Sequence, residues 1–194
     1  MEIILASFNR DKAREIEKIV SPISVQCLAD IGVEIDFDEI ETGETYEENA
    51  LIKARAAAAH VNGVIVADDS GLDIDTLGGR PGIHSARYGG AGSGYARQCD
   101  LLLEEMKEIP AGQRGAKFVC VVAAILPDGT EHIFRGECAG EIHTEAAGNS
   151  GFGFDPVFYL PTRNLTMAQI SPDEKNAISH RAEAFRKLKK FLSI

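Results

Sequence analysis

The stretch KFVCVVAAILPDGTEHIFRGECAG, Lys117–Gly140, decides the fold class. Two β-rich runs, Lys117 to Leu126 and Thr130 to Gly140, flank Pro127-Asp128-Gly129, three residues that each favour a tight turn. Joined so closely, the runs pair as a hairpin, which sets neighbouring strands antiparallel. Near the start, Ile3 to Ala6 is a short apolar run of buried-strand type. Ala13, Ile16, Ile19 and Val20 then recur at helical spacing over Asp11 to Val20. Val64 to Ala67 is another β-rich run, expected to end at the acidic pair Asp68-Asp69. Strand–helix order followed by a hairpin excludes a purely parallel sheet. It predicts an α/β fold with a mixed, twisted central sheet covered by helices.

Two further helices have start signals. Thr45 and Glu48 form a capping box ahead of an alanine-rich run, predicting a helix over Thr45 to Val61. Ser171-Pro172-Asp173-Glu174 is a second capping box with proline at the first helical position, opening a helix towards Leu192. The glycine-rich stretch Gly78 to Gly94 is expected to be an ordered functional loop, because long structureless loops are uncommon. There is no internal repeat or Pro/Ser-rich linker, so residues 1–194 are expected to act as a single domain.

Composition excludes several classes. The chain has 44% apolar and 26% charged residues, ordinary for a globular protein with a sizeable core. No apolar run approaches the ~18 residues of a membrane-spanning helix. The N-terminus MEIILASFNRDK lacks the basic leader and apolar length of a signal peptide. Four dispersed cysteines without C-x-x-C spacing point to reduced thiols in a cytoplasmic protein. A formal charge of −10 opposes general nucleic-acid binding but permits a small anion held in a local basic pocket with a divalent cation. The basic run Arg186 to Lys190 complements the C-terminal end of a helix dipole.

Four constellations carry chemistry. Ser7-Phe8-Asn9-Arg10-Asp11-Lys12 follows the first strand and opens a helix, where backbone N–H groups and the helix dipole suit a phosphate. Arg10 and Lys12 stand at the end of a helix that disfavours cations unless an anion is near. The ordinary alternative is that Ser7 or Asn9 simply caps the helix. The second constellation is acidic: Asp68-Asp69-Ser70-Gly71 beyond a strand, with Glu41. One or two carboxylates, water and phosphate oxygens make a Mg²⁺ site, and one carboxylate can also take a proton from water. In Gly151-Phe152-Gly153-Phe154-Asp155-Pro156, glycines allow close backbone approach and a phenylalanine offers either a stacking ring or core packing. Lys175 and His180-Arg181 add cations near the last helix. Lys175 and Arg181 do not share a face if that helix is unbroken.

Together these blocks resemble the inosine triphosphate pyrophosphatase family, the Ham1-like proteins. The resemblance is carried by SFNRDK (7–12), ETGETYEENALIKA (41–54), ADDSGLDIDTLGGRPGIHSARY (67–88), GFGFDP (151–156) and KNAISHR (175–181). It implies two lobes with the active site in the cleft between them, Mg²⁺ as cofactor, a homodimer, and hydrolysis of ITP, dITP and XTP to the monophosphate and pyrophosphate. It places Ser7, Phe8, Asn9, Arg10, Asp11 and Lys12 at the triphosphate with Lys53, and Glu41 and Asp69 at the metal. Asp69 is the implied general base, with Asp68 a supporting carboxylate. Ser70, Gly153, Phe154, Asp155, Lys175, His180 and Arg181 are the implied substrate contacts. Phe8 stands where a glycine is common in the family, and His84 where a tyrosine is often seen.

Base choice has a physical basis. A 6-oxo purine presents an acceptor to Arg181 or His180, whereas the adenine 6-amino group would leave buried donors unpaired. The competing readings are a pyrophosphatase for modified pyrimidine triphosphates and a nucleotide-binding module without hydrolysis.

Overall fold

The computed structural model describes residues 1–90 and 92–192; the side chain of Asp11, one of the expected phosphate contacts, lies outside the described residues. The chain opens with β1 (Glu2–Leu5), α1 (Arg10–Val20), β2 (Ser24–Cys27), α2 (Leu28–Ile31), α3 (Phe37–Ile40) and α4 (Tyr46–Ala58). There follow β3 (Val64–Ile74), β4 (Pro81–Gly82), α5 (Tyr95–Glu105), β5 (Gly115–Ile125) and β6 (Glu131–Ile142). β7 (Phe158–Leu160), β8 (Leu165–Thr166), α6 (Pro172–Ile178) and α7 (His180–Leu192) complete the chain. The sheet order is β2-β1-β3-β5-β6-β7-β8, with β4 paired to β3. β1 runs parallel to β2 and β3, while β3–β4, β6–β7 and β7–β8 are antiparallel, so the sheet is mixed. The hairpin turn is closed by Leu126 N–H donating to the Thr130 carbonyl at 2.9 Å.

The chain divides into two compact units. The first comprises Met1–Ser70, Cys120–Gly136 and the residues from His180 onward. Its core joins Ile3 and Leu5 of β1, Ala13, Ile16 and Val20 of α1, Cys120 and Val122 of β5, and Ala184, Phe185 and Leu188 of α7. Spacings of three and four residues put each helix's apolar side chains on one stripe, each large one contributing about 1.5–3 kcal/mol on burial. The second unit comprises Gly71–Val119 and Glu137–Ser179. Its core includes Leu72 and Ile74 of β3, Leu102 of α5, Met106, Phe154 and Phe158. Phe118 and Phe158 pack with ring centroids 4.2 Å apart.

Both predicted capping boxes are present: Thr45 Oγ1 accepts from Glu48 N and Ser171 Oγ from Glu174 N. Four cysteines are free and buried. Two expectations change. β3 does not stop at Ala67 but runs to Ile74 with Asp68 and Asp69 inside it. Carboxylates are tolerated within a buried strand because cations from other elements meet them. The last helix is broken at Ser179, whose ψ of 153° is extended, and the break falls at the unit boundary. α6 ends with Ser179 N–H on the Lys175 carbonyl, and α7 begins afresh against Gly136 of β6. A methyl group at Gly136 would come within 2.2 Å of the His180 carbonyl oxygen, so a side chain there would unseat α7. The described residues of Gly78 to Gly94, expected to be ordered, include β4 and a one-turn 3₁₀ helix at Ser85–Arg87. Ser85 fastens this segment to the sheet, accepting from Leu72 N–H at 2.8 Å and donating to the Gly82 carbonyl at 2.6 Å.

Candidate active site

In the first unit, β1 delivers the chain to the turn Ser7–Asn9, and Asn9 caps α1 by accepting from Lys12 N–H at 3.0 Å. Asn9 N–H donates to Ser7 Oγ at 3.2 Å. Phe8, Asn9 and Arg10 are exposed. Arg10 is turned to α2, its Nε 2.8 Å from Asp30 Oδ1 and its Nη2 donating to the Ala29 carbonyl.

The acidic pair within β3 is divided between different cations. Lys12 Nζ lies 2.6 Å from Asp68 Oδ1 and Arg181 Nε lies 3.6 Å from Asp68 Oδ2. Burial raises the Asp68 pKa, but the charges of Lys12, Arg181 and Lys53 outweigh it and hold the carboxyl well below the usual range. Ser70 Oγ donates to Asp68 Oδ2 at 3.4 Å, and Cys120 Sγ of β5 stands 4.0 Å from the same oxygen. Burial and the neighbouring Asp68 push that thiol up to about 12, so it stays protonated.

Asp69 has a different partner. Lys53 Nζ, on α4, lies 2.8 Å from Asp69 Oδ1 and 2.9 Å from Glu41 Oε1, bridging the two expected metal carboxylates. Burial works against the Lys53 charge, yet Asp69, Glu41 and Asp68 together raise its pKa. Burial also raises the pKa of Asp69; Lys53 opposes that, while Glu41 and Asp68 reinforce it, and the net shift is upward. Asp69 Oδ2 is buried without a hydrogen-bond partner among the described residues. An unmatched carboxylate oxygen beside a second carboxylate is a fitting donor set for a hard cation. Among the described residues, no group of three His, Cys, Asp or Glu side chains forms a metal cage. A cation held by Glu41 and Asp69 would therefore draw its remaining oxygens from water and phosphate.

Two features of this unit were not anticipated. Glu15, one turn beyond Lys12 on α1, places Oε2 3.6 Å from Arg181 Nη1. Its spacing from Lys12 put it on the correct helix face, but only the packing of α7 against α1 supplies its partner. His180, the first residue of α7, is buried at 6% exposure.

The second unit holds the remaining expected contacts. Asp155 Oδ2 accepts from Phe152 N–H at 2.8 Å and from Lys175 Nζ at 2.5 Å. Lys175 Nζ also stands 4.5 Å from the centre of the Phe152 ring. Gly151 has φ of +81°, and a Cβ there would lie 2.0 Å from Asp155 Oδ2, so the turn admits glycine alone. The Gly153 carbonyl accepts from Cys99 Sγ at 3.4 Å. Phe154, the expected stacking ring, is 4% exposed and packs edge-on to Tyr88 with centroids 5.9 Å apart. The exposed ring of this motif is Phe152, at 45%, beside the exposed ring of Tyr95.

The comparisons agree over the whole chain. Residues 3–191 match the model of the Ham1 family. A protein from Geobacillus kaustophilus (strain HTA426) named dITP/XTP pyrophosphatase is 44% identical, covering 96% of this chain and 92% of its own. A Bacillus subtilis (strain 168) protein of the same name is also 44% identical, with coverages of 98% and 96%. The Staphylococcus aureus Ham1 protein superimposes with a TM-score of 0.88 at 40% identity, over 99% of this chain and 98% of that one. A HAM1 protein from Coxiella burnetii gives 0.89 at 38% identity, over 100% and 98%. The paired acid–lysine clusters thus sit in a chain that, by sequence from end to end and by fold, belongs to the Ham1 family.

Proposed function

We propose that this chain hydrolyses the α–β anhydride of non-canonical purine nucleoside triphosphates (ITP, dITP and XTP), releasing the monophosphate and pyrophosphate. The observation that carries this reading is the buried Glu41–Lys53–Asp69 cluster, with Asp69 Oδ2 unmatched. Family membership and the names of the relatives support it. The match over residues 3–191 supports one functional domain spanning both units.

A triphosphate brings roughly four negative charges into an acidic protein, so cations must gather locally. Lys12 and Lys53 of the first unit supply them. Each is already held by a carboxylate, Asp68 or Asp69, so neither stands as an unneutralised charge before substrate arrives. Glu41 and Asp69 would hold Mg²⁺, which when bound supplies positive charge against the phosphate oxygens and the departing pyrophosphate. Asp69 would accept the proton of the attacking water, and a pKa raised chiefly by burial makes it a better base than an ordinary carboxylate. Lys53 orients Asp69 through Oδ1. Asp68 and Glu15 stand 3.6 Å from the buried Arg181 guanidinium, the group that would donate to a 6-oxo acceptor. The same reading takes the protein as a cytoplasmic homodimer that does not engage nucleic acid.

The test is product analysis with ITP, XTP, dITP, GTP, ATP and dUTP, with and without Mg²⁺. Metal-dependent release of monophosphate and pyrophosphate from the first three, weak with ATP and GTP, is expected. Orthophosphate release would place the reaction at another phosphorus, preferred dUTP turnover would make the enzyme a pyrimidine pyrophosphatase, and binding without turnover would make it a nucleotide sensor.

A further inference from the structure

α3 is a four-residue helix that buries none of its side chains, yet it ends on Glu41, one of the two carboxylates placed at the metal. A segment with so little buried surface opens locally at small cost. Two contacts among the described residues bear on its ends. At its end, Glu41 Oε1 meets Lys53 Nζ at 2.9 Å. At its start, the Phe37 ring packs on the Phe8 ring with centroids 5.6 Å apart and planes tilted by 45°. Phe37 is also joined directly to Glu41, whose N–H donates to the Phe37 carbonyl at 3.0 Å.

The other side of the ring pair is firmly anchored. The carbonyl of Ser7 accepts from Leu28 N–H at 3.1 Å, Asn9 caps α1, and Arg10 is fastened to Asp30 and Ala29. Phe8 is therefore held from both flanks, while its ring remains 41% exposed. An exposed phenylalanine in a phosphate-binding turn gains nothing from the solvent; what it touches is the first residue of the helix that carries Glu41.

We infer that Phe8 is a positioning residue for Glu41: through the Phe37 ring it braces α3 against the phosphate-binding turn, keeping the Glu41 carboxylate in place for a divalent cation. This rests on the proposed function in taking Glu41 as a metal carboxylate. Lys53 can perform the bracing only while it is bonded to Glu41. Once a cation competes for that carboxylate, the lysine contact weakens and the ring contact carries the placement.

The experiment uses the full chain with Phe8→Ala, Phe8→Tyr, Phe37→Ala and the Phe8→Ala/Phe37→Ala double variant. Hydrogen exchange of the ligand-free protein, read by mass spectrometry over residues 36–42, is the first measurement. The Mg²⁺ midpoint for ITP turnover at saturating ITP is the second. Phe8→Ala should speed exchange of that segment and raise the Mg²⁺ midpoint, each about fivefold, the equivalent of about 1 kcal/mol for one ring pair. Phe8→Tyr should keep both near wild type, and the double variant should be no worse than either single. Unchanged exchange in Phe8→Ala would overturn the inference, as would faster exchange with an unmoved Mg²⁺ midpoint. Additive losses in the double variant would overturn it too, because Phe8 would then act on the nucleotide itself. If the wild type fails to turn over ITP, the proposed function falls alone, and the exchange result still decides whether Phe8 holds the Glu41 segment.

Discussion

Lys53 Nζ stands 2.8 Å from Asp69 Oδ1 with both side chains nearly buried, so the proposed base already has a cation beside it. The lysine lowers an Asp69 pKa that burial, Glu41 and Asp68 raise. Lys53→Met removes the opposing charge, so the Asp69 pKa rises further. Hydrolysis needs the deprotonated form, and the acid limb of the kcat/KM profile should therefore move to higher pH. An acid limb at the same pH in both proteins would remove Lys53 from the control of Asp69.

Asp69→Asn keeps the shape and one oxygen but cannot take a proton. We expect kcat to fall by about 10²–10⁴ while ITP affinity changes far less. Equal losses in kcat and in affinity, the latter measured by calorimetry without turnover, would show that Asp69 serves binding and not proton transfer.

Asp68 has a structural duty distinct from that of its neighbour. Its carboxylate neutralises the nearly buried Arg181 and the partly buried Lys12. Asp68→Asn should cost about 3 kcal/mol in urea unfolding, because breaking a buried pair strands the remaining charge. A loss below about 1 kcal/mol would mean that Glu15 suffices to hold Arg181.

The two phenylalanines of GFGFDP should separate cleanly. Phe154 lies in the core of the second unit, and Phe154→Ala should destabilise by about 3–5 kcal/mol. Phe152 is exposed beside Lys175, and Phe152→Ala should change stability by less than about 1 kcal/mol while raising KM for ITP. An unchanged KM in Phe152→Ala would deny that ring a role with the nucleotide.

Asp30 provides a pH test remote from the acidic cluster. Hydrogen bonds from the Cys27 thiol, then from Arg10 and the Cys27 amide, lower its pKa from 3.8 to about 2. A carboxylate depressed in the folded state contributes stability that is complete above 3.8 and lost as pH falls through about 2. Asp30→Asn should therefore be less stable than wild type near neutral pH, with the difference shrinking as pH falls across that window. A difference that does not vary with pH would assign the loss to geometry instead of charge.

Much of this protein was legible before folding. The Pro127-Asp128-Gly129 turn, the capping boxes at Thr45 and Ser171 and the apolar stripe of α1 depend on residues within a few positions of one another. Local sterics and hydrogen bonds determine such features, so the sequence alone determined them. The turn from Ser7 to Lys12 and the acidic pair were recognisable for the same reason, as contiguous motifs. Tertiary structure decided what those side chains meet. Asp68 and Asp69 lie inside β3, not beyond it, because Lys12, Lys53 and Arg181 from three separate helices neutralise them. Glu15 finds Arg181, and Phe37 finds Phe8, across 166 and 29 residues of chain respectively, distances over which no periodicity carries information. The break at Ser179 and the burial of Phe154 rather than Phe152 depend likewise on which surfaces the core covers. Burial and charge compensation are properties of spatial neighbours, and those exist only once the chain has folded.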